Sequence, residues 1–281
     1  MRLMIRAHDL GVKGEERIAE KIRELSLDGV QLVAYKSLED VGYKLGSLTP
    51  ERARQVGEVI RSAGDIALLG AYFNPVHPNE EKRNHGVNMF REYISLASSL
   101  GAAYVGSETG SYMGDPWGYH EDNLTDEALD RVVDTFSSLA DYAGQCGVNI
   151  CIEGAYNHVC TTPVRLKECI DRIDRANVRV IFDLFNYLSN HNYTNAYDIL
   201  AEGLELFGDR ILIYHIKDFT VVDGAIKQCG VGHGTLDFER ILSMIYKQNP
   251  DATLVLEGTV GEDIPYAIAH LRKIISALKK D

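Results

Sequence analysis

The chain contains no apolar run approaching the about 20 residues that a membrane-spanning helix requires, so no membrane partner is expected. Its opening, MRLMIRAHDLGVK, has a short apolar stretch broken at once by charge, without the long apolar segment and small-residue site of a secretory leader. A soluble, cytoplasmic protein is the expectation. Paired cysteines are lacking too. Cys146, Cys151, Cys160, Cys169 and Cys229 are an odd set with no C-x-x-C pair, which excludes a disulfide framework and a zinc knuckle and leaves reduced thiols. Basic charge is scarce: 29 Lys and Arg stand against 41 Asp and Glu, a net charge of −12. Such a field repels polyanions, so nucleic acid is not an expected partner. Proline is thin at 7 residues, and no Pro/Ser-rich linker divides the chain. One domain over residues 1–281 is therefore expected, large enough to bury a substantial core.

What is present is a regular alternation. Eight short apolar runs rich in Val, Ile, Leu and Ala fall at Leu3 to Ala7, Val30 to Ala34, Ile66 to Ala71, Ala103 to Gly106, Asn149 to Glu153, Arg179 to Asp183, Ile211 to His215 and Thr253 to Glu257. Between them lie segments of helical period, at about 14–26, 50–63, 80–100, 125–146, 163–175, 194–207, 236–248 and 263–279. Thr49-Pro50 and Thr162-Pro163 place a capping hydroxyl before a proline at the first helical position, and Gly101 and Gly147 stop the helices before them. Eight strand-helix units predict an α/β fold, a closed (β/α)8 TIM barrel, with a doubly wound sheet as the alternative.

In such a barrel the chemistry gathers where strands run into the following loops. The second half places Glu153, Asp183, His215 and Glu257 directly after apolar runs, at spacings of 30, 32 and 42 residues. Each spacing accommodates one strand-helix-strand step. Taken singly, such a carboxylate is usually a helix cap or a solvated loop residue. Four at consecutive strand ends converge near the barrel axis, where three bare carboxylates would raise one another's pKa, a conflict that a divalent cation removes. Carboxylate oxygens with one imidazole suit Mn²⁺, Mg²⁺ or Co²⁺ in an open octahedral site, Mn²⁺ being the expected ion; Zn²⁺ is an alternative. The first half offers His8, Tyr35, Tyr72, Asn74 and Glu108 at corresponding positions.

At these residues the sequence resembles the xylose isomerase-like barrels, and within them the sugar phosphate isomerase/epimerase group that includes ketose 3-epimerases and inosose-processing enzymes. The specific pieces are IEGAYNH, FDLFN, HIKD at 215–218, GVGHGTLDF and LEG at 256–258. The resemblance covers most of the chain in element order, with the motifs confined to the second half. It implies that Glu153, Asp183, His215 and Glu257 are metal ligands and that Glu153 and Glu257 are the catalytic acid/base pair. It also implies a small sugar or sugar phosphate as substrate and a homo-oligomer. One departure stands out: many ketose epimerases carry His three residues after the metal-binding Asp, where this chain has Asn186, an uncharged amide. His158, five residues past Glu153, is similar to a His of the inosose-type members.

The implied reaction is proton transfer on carbon next to a carbonyl, with the cation stabilising the enediolate. Glu153 removes the proton and Glu257 returns one on the other face, giving epimerisation; one residue doing both gives aldose-ketose isomerisation. An inosose-type dehydratase on the same site is the first alternative. An endonuclease IV-like metallohydrolase and a sugar-binding barrel without turnover follow. Around the pair, His158, Asn186, Lys217, Trp117 and Glu108 are the expected substrate-binding residues. Trp117, Tyr112 and Tyr119 lie in a Gly- and aromatic-rich loop suited to form a lid or stack on a sugar, or to pack at a surface. Lys217 is expected to bind a hydroxyl or phosphate, or else to pair with a carboxylate such as Glu153 or Asp183. His233, between Gly232 and Gly234, marks a loop whose exposed amides offer a docking place for a phosphate, a lone G-x-G being a weak signal for one.

Overall fold

The computed structural model describes residues 1–279. Eight parallel strands close into a barrel: β1 (Arg2–Arg6), β2 (Gly29–Leu32), β3 (Asp65–Gly70), β4 (Tyr104–Glu108), β5 (Asn149–Glu153), β6 (Val178–Asp183), β7 (Ile211–Ile216) and β10 (Thr253–Leu256), with β10 pairing both β7 and β1. The expected barrel is the fold observed. Its outer ring is α1 (Glu15–Glu24), α3 (Pro50–Arg61), α4 (Glu80–Leu100), α5 (Asp126–Gln145), α6 (Pro163–Ile173), α7 (Ala196–Phe207), α8 (Phe238–Gln248) and α9 (Asp263–Leu278). No helix among the described residues is long and apolar enough to cross a membrane.

The helices form where apolar residues recur at helical spacing. In α8, Phe238, Ile241, Leu242 and Ile245 are the buried positions, one stripe at i, i+3, i+4 and i+7 facing the strands. Thr49 and Thr162 cap α3 and α6 by accepting from the amides of Arg52 and Arg165, and Gly101 ends α4 in the left-handed region. All five cysteines are free thiols.

Two cores result. The larger lies between strands and helices; the smaller fills the barrel with Met4, Leu68, Cys151, Ile181, Ile213 and Val255. Gly106 belongs to that inner layer, because a Cβ there would lie 2.9 Å from Ile181 Cδ1. Side chains on a strand alternate with period two, so Arg6, Glu108, Glu153, Asp183, His215 and Glu257 point the same way one layer nearer the mouth. An apolar plug thus underlies a polar layer.

Three local departures from the predicted elements occur. The second strand ends at Leu32, and Ala34 begins a short helical turn, α2 (Ala34–Ser37). The fourth runs two residues further than expected and carries Glu108 itself. The third is an antiparallel hairpin, β8 (Asp218–Val222) and β9 (Ala225–Cys229), outside the barrel sheet. Its turn residues Asp223 and Gly224 both have positive φ, the backbone a two-residue hairpin requires.

Candidate metal centre and sugar site

His215 is the hub. Its Nδ1 lies 3.3 Å from Glu153 Oε1, 3.4 Å from Asp183 Oδ2 and 2.9 Å from Glu257 Oε2, and its side chain is fully buried. Glu153, Asp183 and His215 each offer an atom within 4.8 Å of the others'. Glu257 stands at the edge of this set, touching His215 while Arg6 Nη1 and Lys217 Nζ, each at 2.7 Å, draw its other oxygen aside. On the far side of the ring, His215 Nε2 lies 2.8 Å from Gln31 Oε1. The Gln31 amide donates to Tyr72 Oη at 2.8 Å, so its oxygen faces the imidazole and places the proton on Nε2. With a cation bound, the neutral ring would thereby present its Nδ1 lone pair to the centre of the carboxylates.

The donor set fits a divalent cation. Asp183 Oδ2 is buried and accepts no well-aligned hydrogen bond, although Lys217 Nζ is 2.8 Å away. Ligands about 2.1 Å from an octahedral ion and at right angles sit about 3.0 Å apart, close to the separations around Nδ1. The charges of the layer also compensate one another. Burial lowers the pKa of His215, but Glu153 and Glu257 outweigh it and hold the imidazole protonated well above its usual range. Burial pushes Glu257 up, and Lys217, His215 and Arg6 overcome this to hold it well below the carboxylate range. Glu153 is raised instead, chiefly by burial, with His215 opposing.

Lys217 is buried, its Nζ within 2.8 Å of Asp183, 2.7 Å of Glu257 and 3.0 Å of Asn186 Oδ1. Asn186 also donates to Glu153 Oε1 at 2.7 Å, and its backbone amide to Asp183 Oδ1 at 3.0 Å. It therefore spans two carboxylates and the lysine. Arg6 and Gln31 have no place among the residues picked out from the sequence. The available signal is a cationic or amide side chain inside an otherwise apolar strand, LMIRA and VQLVA.

Above this layer a cavity of about 280 Å³ is lined by Glu153, Glu257, Glu108, Arg6, Tyr72 and Trp117, with Tyr35 and Lys36 at its side. Burial, then Glu153, drives the Glu108 carboxyl well above its usual range. His158 is buried, packs edge-on against Trp117 at 5.4 Å between ring centroids, and has no partner for Nδ1. Burial and then Lys217 lower its pKa to about 4. Of the loop aromatics, Trp117 alone lines this cavity; Tyr119 is 60 % exposed and Tyr112 packs on the core. His8 lies beside Asp9, lowered to about 4 by burial and then Arg6.

The docking place offered to a phosphate at His233 is taken by the protein itself. The amides of Gly232 and Gly234 donate to Asp218 Oδ2 at 3.0 and 2.9 Å, and that of Leu236 to Oδ1 at 3.2 Å. Asp218 is fully buried, and a Cβ on Gly234 would fall 2.2 Å from its Oδ1. His233 stacks on Tyr266 instead, at 4.4 Å.

Residues 19–274 match the model of the xylose isomerase-like TIM barrels. The chain belongs to that family. Among curated proteins, this family member is 22% identical over 258 residues to the D-psicose 3-epimerase of Agrobacterium fabrum, covering 87% of this chain and 81% of the relative. Among solved structures, a D-tagatose 3-epimerase-like protein superposes with a TM-score of 0.76 at 21% identity, covering 100% of this chain and 99% of the other. The IolI protein with a bound zinc atom gives 0.74 at 18%, covering 99% and 98%.

Proposed function

We propose that this barrel is a divalent-metal-dependent sugar isomerase or epimerase acting on carbon next to a carbonyl. The observation that carries the reading is that Glu153 and Glu257, on strands separated by β6 and β7, both line one cavity and both reach His215. A ligand in that cavity meets two carboxylates from two directions. The relatives named as epimerases of D-psicose and D-tagatose type support a small sugar ketone as substrate.

A divalent cation held by Glu153, Asp183, His215 and Glu257, Mn²⁺ by the hardness of the donors, would supply Lewis-acid stabilisation of negative charge on the carbonyl oxygen. Glu153 removes the proton from the carbon, its carboxylate oriented by the Asn186 amide. Glu257, held ionised by Arg6 and Lys217, relays a proton from solvent water to the opposite face and inverts the centre. Glu108 and Lys36 reach the same cavity and bind substrate hydroxyls, while Trp117 and Tyr72 wall it against water.

The test is deuterium exchange from D₂O into D-psicose or D-fructose with added Mn²⁺, followed by NMR. Exchange is expected, with Glu153→Gln slowing it by about 100-fold or more. Undiminished exchange in Glu153→Gln refutes the assigned base. Loss of water, seen by mass on a cyclic polyol ketone, marks the inosose-type dehydratase, and nicking of an abasic duplex marks the metallohydrolase.

A further inference from the structure

We propose that the substrate carries a second, neutral sugar ring, and that an outer pocket opening off the reaction cavity holds it. The claim rests on the sugar-ketone reading above and extends it to the substrate's size. The outer pocket encloses about 610 Å³, more than twice the inner cavity, and shares Tyr35, Tyr72 and Trp117 with it as common wall. The inner cavity alone, about 280 Å³, falls just below the about 300–1,000 Å³ typical of small-ligand sites, room for one ring.

The chemistry of the outer walls selects the occupant. Tyr43 meets Tyr35 edge-on at 5.0 Å and His85 at 5.4 Å, and buried Phe73 lines the same pocket. These aromatic faces suit the C–H faces of a pyranose. The polar rim is already neutralised: Lys82 Nζ lies 2.7 Å from Asp115 Oδ2, and His77 Nε2 lies 3.3 Å from the same oxygen. With Lys82 paired and Glu81 beside it, the pocket lacks the unpaired cation a phosphate needs, while its carboxylate oxygens accept from hydroxyls. A second ring, linked through its glycosidic oxygen past the shared wall of Tyr35, Tyr72 and Trp117, is the occupant that fills both spaces at once.

Trp117 is the chain's single tryptophan and lines both spaces, so its fluorescence reports occupancy of either. The full chain with Mn²⁺ is titrated with D-fructose and with lactulose, isomaltulose and turanose, which carry a second ring on three different hydroxyls of that ketose. At least one disaccharide is expected to bind about tenfold or more tighter than D-fructose. Tyr43→Ala, and separately His85→Ala, are expected to erase that gain and leave D-fructose affinity unchanged. Equal affinity for all four sugars overturns the proposal, as does a gain that survives both variants. Disaccharide preference without deuterium exchange into any of the four keeps the outer pocket and sinks the epimerase reading; exchange into D-fructose without preference does the reverse.

Discussion

Gln31→Leu isolates the group that orients the proposed metal ligand without touching a carboxylate. Gln31 is fully buried, and leucine fills nearly the same volume while removing both of its hydrogen bonds. Two effects follow, and they separate experimentally. The Nε2–H of His215 is left buried without an acceptor, which lowers stability by about 1–3 kcal/mol. The preference for a free Nδ1 is also lost, and removal of such an outer partner weakens metal affinity about 10- to 100-fold, or about 1.4–2.7 kcal/mol. Thermal unfolding in the presence of a chelator reads the first; calorimetric Mn²⁺ titration of the folded protein reads the second. Gln31→Glu keeps an acceptor toward Nε2 and is expected to retain or tighten Mn²⁺ binding. A folded Leu variant that binds Mn²⁺ within about twofold of the parent, while losing stability as expected, refutes the orienting role.

Other perturbations test the layer and its support. Lys217→Met leaves Asp183 and Glu257 buried without their ammonium, a loss of about 3–5 kcal/mol when one member of a buried pair is removed. Metal-free melting should fall accordingly and Mn²⁺ should restore most of it; a melting point unmoved by either change contradicts the charge-compensation account. Gly106→Ala overpacks the inner layer against Ile181 Cδ1, at about 1–3 kcal/mol. Adding Ile181→Val removes the crowding atom and should recover part of that loss in a double-mutant cycle. For pH, the Arg52 guanidinium hydrogen-bonds Glu15 and holds its carboxyl below the usual range against burial. Because the folded value is depressed, its contribution is full above an unfolded value of about 4.3 and is lost as pH falls through the folded value. Between about pH 5 and 3, urea midpoints should therefore drop further for the parent than for Arg52→Gln; parallel drops would discount the pair.

The barrel was legible because each of its strands is bounded by glycine, proline or charge and each helix repeats at its own period. Glu153, Asp183, His215 and Glu257 were legible as polar residues that end apolar runs, and all four do gather at one level of the mouth. What escaped was interior polarity. Arg6 and Gln31 sit inside runs that are otherwise apolar, and only the closure of the barrel, β1 pairing β10 on one side and β2 on the other, turns them toward Glu257 and His215. The hairpin escaped for another reason. Its Asp223-Gly224 turn is a strong local signal, but an alternation of eight strands with eight helices has no place for a ninth and tenth strand. The G-x-G of 232–234 misled because exposed amides and amides already bonded to a buried carboxylate look alike in sequence.

The HIKD string shows how four consecutive residues serve two purposes. With period two, His215 and Lys217 turn inward, where one gathers the carboxylates and the other neutralises them. Ile216 packs in the outer core, and Asp218 is buried away from the centre, where its oxygens take three backbone amides of the loop at 232–236. That loop leads into α8, so the carboxylate that opens β8, two residues past the end of β7, ties the return path of the chain to the strand carrying the hub. A phosphate bound there would have to displace an internal carboxylate already accepting four hydrogen bonds, one of them from Phe219, at no cost in association entropy. The cavity at the mouth, where Glu108, Lys36 and Trp117 stand beside the carboxylate pair, has no such internal occupant among its lining residues.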